Sequence, residues 1–166
     1  MSGFSEVVLA DTNVILEAFR TQSWSVLTAR YAVETVVKCI EETQTGYQRR
    51  RPEQQIDQSL LEKSFRRVHQ VSVAERAALA VQIEGIQLDA GEEELWAHAI
   101  TRNDEWLLCG PDIASMRCGV RLKVHDRLVS LEKLLEPCGH KPKRPLRENY
   151  TEKWFRQRLN ELLFSE

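Results

Sequence analysis

Cysteine is scarce, and its spacing is uninformative: Cys39, Cys109, Cys118 and Cys138 include no C-x-x-C pair, which excludes the commonest zinc and redox signatures. Cys39 and Cys109 fall in apolar runs that read as core, so reduced thiols in a cytoplasmic protein are expected. Cys138-Gly139-His140 is too isolated for a zinc site. His69, His98, His125 and His140 show no H-E-x-x-H or comparable spacing, so no histidine-based site is expected. Uninterrupted apolar runs of membrane-spanning length are missing. Met1 to Glu6 has neither the basic start nor the apolar core of a signal peptide, which again points to the cytoplasm. Internal repeats and low-complexity segments are absent as well.

An excess of either charge is also lacking, since 23 Lys and Arg face 25 Asp and Glu for a net charge of -2. Binding to a nucleic acid would therefore rest on local basic patches. Two exist: Arg49-Arg50-Arg51, and Lys141 with Lys143, Arg144 and Arg147. What is present is an ordinary globular composition, 42% hydrophobic and 29% charged over 166 residues. Such a chain buries roughly 70% of its unfolded surface in one core without disulfides or structural metal.

The most informative stretch is Val7-Val8-Leu9-Ala10-Asp11-Thr12-Asn13-Val14-Ile15, a short apolar run that ends on a carboxylate and restarts with a different period. It reads as a buried strand delivering Asp11 to its carboxyl end, where ligands bind in open parallel sheets. Asn13 can cap a helix from Val14 to about Arg20, and a second short helix follows around Trp24, Val26 and Leu27. Tyr31 to Val36 reads as a second strand, leading into a helical turn through Cys39, Ile40 and Glu42 that Gly46 ends. Gln48 to Gln58, with Pro52, is polar and reads as a surface loop. Leu60, Leu61, Phe65 and Val68 predict one helix, and the Ser72-Val73-Ala74-Glu75 capping box opens another that Gly85 terminates.

From Asp89 the pattern alternates: helix from Gly91 to Ile100, strand Trp106 to Cys109, helix Asp112 to Cys118, strand Val120 to Val124. That alternation implies parallel βαβ units. Past Glu136 the composition shifts to Pro137, Gly139, Pro142 and Pro145 among basic residues. A last amphipathic helix follows, capped near Asn149 and Glu152 and carrying Trp154, Leu159 and Leu162. Residues 1–136 are thus expected to form the α/β domain, and 137–166 a tail packed on it or on a second subunit.

Acids recur at strand ends and helix starts, around Glu42, Glu92 and Asp112. Each has a purely structural alternative: Asp11 as a turn residue, Glu92 as part of a D-x-x-E capping box with Asp89, and Asp112 as an N-cap. The Asp-Thr-Asn sequence straight after four apolar residues resembles the PIN-domain family of metal-dependent ribonucleases, many of them toxins of bacterial toxin-antitoxin pairs. The resemblance covers about residues 5 to 130 in short motifs whose order and spacing carry the weight. It implies a three-layer α/β/α fold around a central parallel β-sheet, here with a C-terminal helical extension.

It further implies a second acid in the helix after the second strand, a few residues before a Gly; Glu42 before Gly46 fits. Glu34 and Glu41 compete for that role, although Glu34 could instead pair with Lys38 at i,i+4 for about 0.3 kcal/mol. The third acid opens a helix in a Gly-Glu pattern, matched by Gly91-Glu92, with Glu93 and Glu94 adjacent. The fourth is Asp112, where the family has a Thr or Ser two residues earlier and this chain has Gly110.

The implied activity is phosphodiester hydrolysis of RNA with Mg²⁺ or Mn²⁺ held by Asp11, Glu42, Glu92 and Asp112. Thr12 or Asn13 would orient water or phosphate, and Arg49, Arg50 and Arg51 would track the RNA backbone. An antitoxin protein and a homodimer are the partners implied. Carboxylates about 4 Å apart repel by roughly 4 kcal/mol at an effective dielectric near 20. A cluster of this kind must therefore protonate or hold a hard cation. A haloacid dehalogenase-like phosphatase would need an acid at position 13, which is Asn. A receiver domain would need paired acids at the first strand. The non-enzymatic alternative is a PIN-like module that binds RNA or serves as a scaffold without cleaving.

Overall fold

β1, Val7–Ala10, is buried at every position, so it has no solvent face and reads as an unbroken apolar run, the pattern of a strand covered on both sides. The computed structural model describes residues 5–45 and 55–165. In it β1 lies inside a four-stranded parallel sheet of order β3-β2-β1-β4. The other strands are β2 (Ala32–Val36), β3 (Arg67–His69) and β4 (Trp106–Cys109). Val7 stands opposite Ala32 on one side and Trp106 on the other, and β2 pairs β3 with Glu34 opposite Arg67.

The chain steps outward from β1 to β2 to β3, then crosses back past β1 to lay down β4. The order therefore reverses between β1 and β4, where an open parallel sheet leaves a crevice beyond its carboxyl ends. Asp11 N–H donates to the Cys109 carbonyl at 3.2 Å, so the two strand ends flanking that crevice are tied together.

Period-2 alternation on β1 feeds two cores. Val8 and Ala10 pack with α1 (Thr12–Arg20), α2 (Trp24–Arg30), α4 (Gln58–Ser64) and α8 (Leu131–Leu135). Val7 and Leu9 pack with α5 (Val73–Gln82), α6 (Ala90–Ala99), α7 (Ile113–Arg121) and α9 (Glu152–Ser165). Directly after β2 comes α3 (Val37–Gln44), which gives Cys39 to one core and Ile40 to the other. The protein is thus α/β, with helices on both faces of a parallel sheet. Phe155, Leu159 and Leu162 of α9 are buried in this same core, so the tail packs on the domain itself. Among the described residues no helix is long and apolar enough to cross a membrane.

Several expectations need correction. The helix after β1 starts at Thr12 with Asp11, not Asn13, at its N-cap position. The single helix expected through Val68 stops at Ser64, and Arg67–His69 is the edge strand β3. Three residues flanked by charge are too short for alternation to register. Leu60, assigned to the buried stripe, is 69% exposed.

The expected strand at Val120 to Val124 does not form. α7 continues to Arg121, and Lys123 then adopts φ 61°, which no strand tolerates. Val120, Leu122 and Val124 still pack against the core, so the alternation arose from a helix end running into a turn. Glu34 lies in β2 and Lys38 pairs with Glu41 at 3.4 Å, so the anticipated Glu34–Lys38 helical pair is absent. Gly46, Pro52 and Arg49, Arg50 and Arg51 lie outside the described residues.

Candidate metal centre at the switch point

Three helix N-termini converge beyond β1 and β4, and each carries an acid there: Asp11 before α1, Asp89 before α6 and Asp112 before α7. Helix N-termini favour negative charge, which lets one edge of the fold collect carboxylates. Asp11 is 3% exposed, and its side chain makes no capping hydrogen bond. Burial, then the neighbouring charge of Asp89, pushes its carboxyl up to about 7, with Glu42 adding to the rise; the N–H groups of Thr12 and Asn13 offset part of it. Oδ2 of Asp11 is buried without a hydrogen-bond partner.

Glu92 serves two ends. The capping box of the sequence reading is real: Glu92 N–H donates to Asp89 Oδ1 at 2.9 Å, and Asp89 N–H reaches Glu92 Oε2 at 3.4 Å. The other oxygen, Oε1, is buried and unpartnered. Burial, then Asp112, Asp11 and Asp89, pushes this carboxyl up to about 8. Asp112 caps α7 by accepting from Ala114 N–H at 2.8 Å and Ser115 N–H at 3.3 Å through Oδ1.

Glu42, in the last turn of α3, accepts the Thr12 hydroxyl at 2.7 Å and the Gly91 N–H at 3.2 Å. Thr12 therefore positions Glu42, while the Asn13 side chain lies at the surface. Glu41 faces solvent with Lys38, and the charges acting on Glu94 are those of Arg76, Lys38, Glu41 and Glu93 rather than of Asp11. Of the neighbouring glutamates, Glu42 bonds Thr12 and Gly91, and Glu92 couples to Asp11. Asp89, read from sequence only as a cap, also raises both Asp11 and Glu92 by charge repulsion. Its place one helical turn ahead of Glu92 was the available signal.

Two glycines shape the site. A Cβ at Gly91 would fall on the Glu42 carboxylate, so the Gly-Glu pattern reflects a close approach of α6 to that side chain. Gly91→Ala is expected to displace Glu42 from Thr12 and weaken Mn²⁺ binding about tenfold, as loss of a supporting contact does. Calorimetric titration checks this; an unchanged Mn²⁺ affinity would remove Glu42 from the site. At Gly110 a Cβ would meet Asp11 Cβ at 3.3 Å and Ser115 Oγ at 3.8 Å. Ser115 Oγ itself accepts from Trp96 Nε1 at 2.8 Å.

Two buried carboxyls, Asp11 and Glu92, each with an orphaned oxygen and a raised value, beside the half-buried Asp112, fit a hard divalent cation of the Mg²⁺ or Mn²⁺ type. Among the described residues, the set of three metal-type ligand atoms that lie within 4.8 Å of one another is elsewhere, at Glu34, His69 and His98; the acids beside Asp11 do not form such a set. That position already holds a cation. Arg102 Nη1 donates to Glu34 Oε1 at 2.8 Å and reaches His98 Nε2 at 3.0 Å, while His69 Nε2 donates to the same Glu34 oxygen at 2.6 Å.

A guanidinium only donates, so His98 accepts through Nε2 and carries its proton on Nδ1. Burial, then the neighbouring His69 and Arg102, pushes His98 down to about 4, in keeping with a neutral ring. Burial alone would raise Glu34, but His69 and Arg102 together hold it below the usual carboxylate range. Arg66 Nε adds an ion pair to Glu34 Oε2 at 3.3 Å without hydrogen-bond geometry.

The cluster fastens β2, β3 and the end of α6. Arg102→Met is expected to destabilise the fold by about 3 kcal/mol, the low end for breaking a buried pair because Arg66 remains in reach. Urea denaturation measures it, and a loss below about 1 kcal/mol would show that the pair is solvated in solution. No protein-family model and no curated protein matches the chain.

Proposed function

We propose that this chain is a metal-dependent ribonuclease of PIN-like architecture. The observation that carries the reading is the pair of buried, unpartnered carboxylate oxygens on Asp11 and Glu92 at the β1–β4 switch point, with Asp112 and Asp89 in electrostatic contact. The order Asp11, Glu42, Glu92, Asp112 along the chain supports the family resemblance. So does a parallel sheet with helices on both faces.

Asp11, Glu92 and Asp112 would hold the cation, with Glu42 set in place by Thr12 and Gly91. A divalent cation there supplies Lewis acidity, activating water near neutral pH and stabilising the leaving oxygen of a phosphodiester. Ionised Asp11 and Glu92 are the forms that bind it, and their raised values make them proton acceptors close to pH 7 in the metal-free protein. Cys39 underlies the site, with Sγ 4.0 Å from Asp11 Oδ1. Burial pushes that thiol up to about 12, so it stays neutral and adds no nucleophile.

The test is incubation of single-stranded and structured RNA with the purified protein in Mn²⁺ or EDTA. Cleavage in Mn²⁺, lost in EDTA and lost in Asp11→Asn, is the expected result. Cleavage surviving Asp11→Asn would place the activity outside this site, and tight Mn²⁺ binding with no cleavage would favour a scaffold.

A further inference from the structure

The basic segment after α8 follows a defined course. The Lys143 N–H donates to the Thr21 carbonyl at 3.0 Å, at the C-terminal end of α1. The Pro145 carbonyl accepts from Arg20 Nη2 at 2.8 Å. The Arg147 N–H donates to Glu17 Oε2 at 2.8 Å, midway along the helix. The Tyr150 hydroxyl donates to the Asn13 carbonyl at 3.1 Å, in the first turn. The segment therefore runs antiparallel to α1 over its whole length, about 14 Å for nine residues, and arrives beside Asp11.

Its inward contacts are made mostly by backbone, on a helix whose Glu17 is buried and gripped by Arg20 through two bonds of 2.7 Å. Pro142 and Pro145 restrict the strap's backbone. The side chains of Lys141, Lys143 and Arg147 are exposed. No acid occurs from Gly139 to Arg147, in a chain whose net charge is -2.

We infer that this strap is a phosphate track that leads a single-stranded polynucleotide backbone along α1 to the acids at Asp11. The inference rests on the ribonuclease reading for its destination. Its chemistry is independent of cleavage: cations fixed on a restrained backbone, spaced along one line, meet a chain of phosphates by charge complementarity. The last of these cations, Arg147, stands opposite Glu17 midway along α1, so the strap's positive charge leads toward the strongly negative site without lining its rim.

The experiment measures anisotropy of a fluorescein-labelled single-stranded RNA 20-mer in EDTA, where no cleavage occurs, across a salt series. The full chain is compared with Lys141→Gln/Lys143→Gln/Arg147→Gln and with the same three positions changed to Arg where they are Lys. Each single-strand phosphate contact contributes about -0.7 to the slope of log K on log salt. The triple Gln variant should therefore bind at least tenfold more weakly, with a slope shallower by about 2. The Lys→Arg variant should bind as the parent does, and Mn²⁺ affinity and melting temperature should hold in both.

Equal slopes in parent and triple Gln variant would overturn the track while leaving cleavage intact as a separate question. Absence of RNA binding by the parent chain, or preference for poly-glutamate over RNA, would overturn it too. Strap-dependent binding with no Mn²⁺-dependent cleavage would sink the nuclease reading and keep the track.

Discussion

Asp11→Asn is expected to abolish metal-dependent RNA cleavage and, at the same time, to raise the melting temperature of the metal-free protein at pH 8. The first effect follows from removing a negatively charged ligand oxygen from a site proposed to hold a divalent cation. Stabilisation worth several kcal/mol is lost, or about a thousandfold or more in rate. The second follows from burial. A carboxyl moved from 3.8 to about 7 carries, when ionised at pH 8, a linkage penalty of at most about 4 kcal/mol. Asn removes the charge but keeps a buried polar group, so a gain of about 2 kcal/mol is expected.

The opposite signs separate this outcome from simple misfolding, which would lower activity and melting temperature together. Cleavage within tenfold of the parent would take Asp11 out of the chemistry. A lower melting temperature for the variant at pH 8 would show that the buried carboxylate is compensated by partners other than a cation.

What the sequence disclosed about this site divides along physical lines. β1 and the Asp11 that ends it were legible because a strand buried on both faces leaves a continuous apolar run with an abrupt polar stop. Both capping boxes were legible because they are local, requiring only a fixed spacing of three residues. β3 was not, because its place is set by pairing with β2 across a long stretch of chain and its own residues are charged or half-buried.

Glu34 shows the same limit within the candidate residues. As a carboxylate between valine and threonine it competed with Glu42 for the metal, and only the meeting of Arg102 and His69 on it assigns it to a buried ion cluster. His69 and His98 stack at 3.7 Å between ring centroids, though they lie far apart in sequence with no ligand spacing to announce them. Asp89 was visible but single-valued, since a capping role explained it fully until its charge was found to act on Asp11.

The fold should also report whether this site takes a cation through its pH dependence. In the metal-free protein Asp11 and Glu92 have carboxyls raised to about 7 and about 8, while the unfolded chain releases the same protons near pH 4. Between those limits the native state holds more protons than the unfolded state. Stability from these two groups is therefore fully present below about pH 4 and falls as pH rises, losing up to ~1.4 kcal/mol per pH unit for each proton held. Above about pH 8 the loss is complete.

Glu34, held low, works oppositely and loses its contribution as pH falls from the unfolded carboxyl value toward its depressed one, and His98, held down to about 4, offsets part of the fall up to about pH 6.5. Saturating Mn²⁺ replaces those protons, so the fall between pH 5 and pH 8 should flatten, and binding at pH 6 should release close to two protons. Melting curves in EDTA and in Mn²⁺ over that range, with calorimetry in buffers of different ionisation enthalpy, read both quantities. Stability that rises from pH 5 to pH 8 in EDTA would mean that Asp11 and Glu92 titrate as ordinary acids, and the electrostatic case for a metal at the switch point would fall with them.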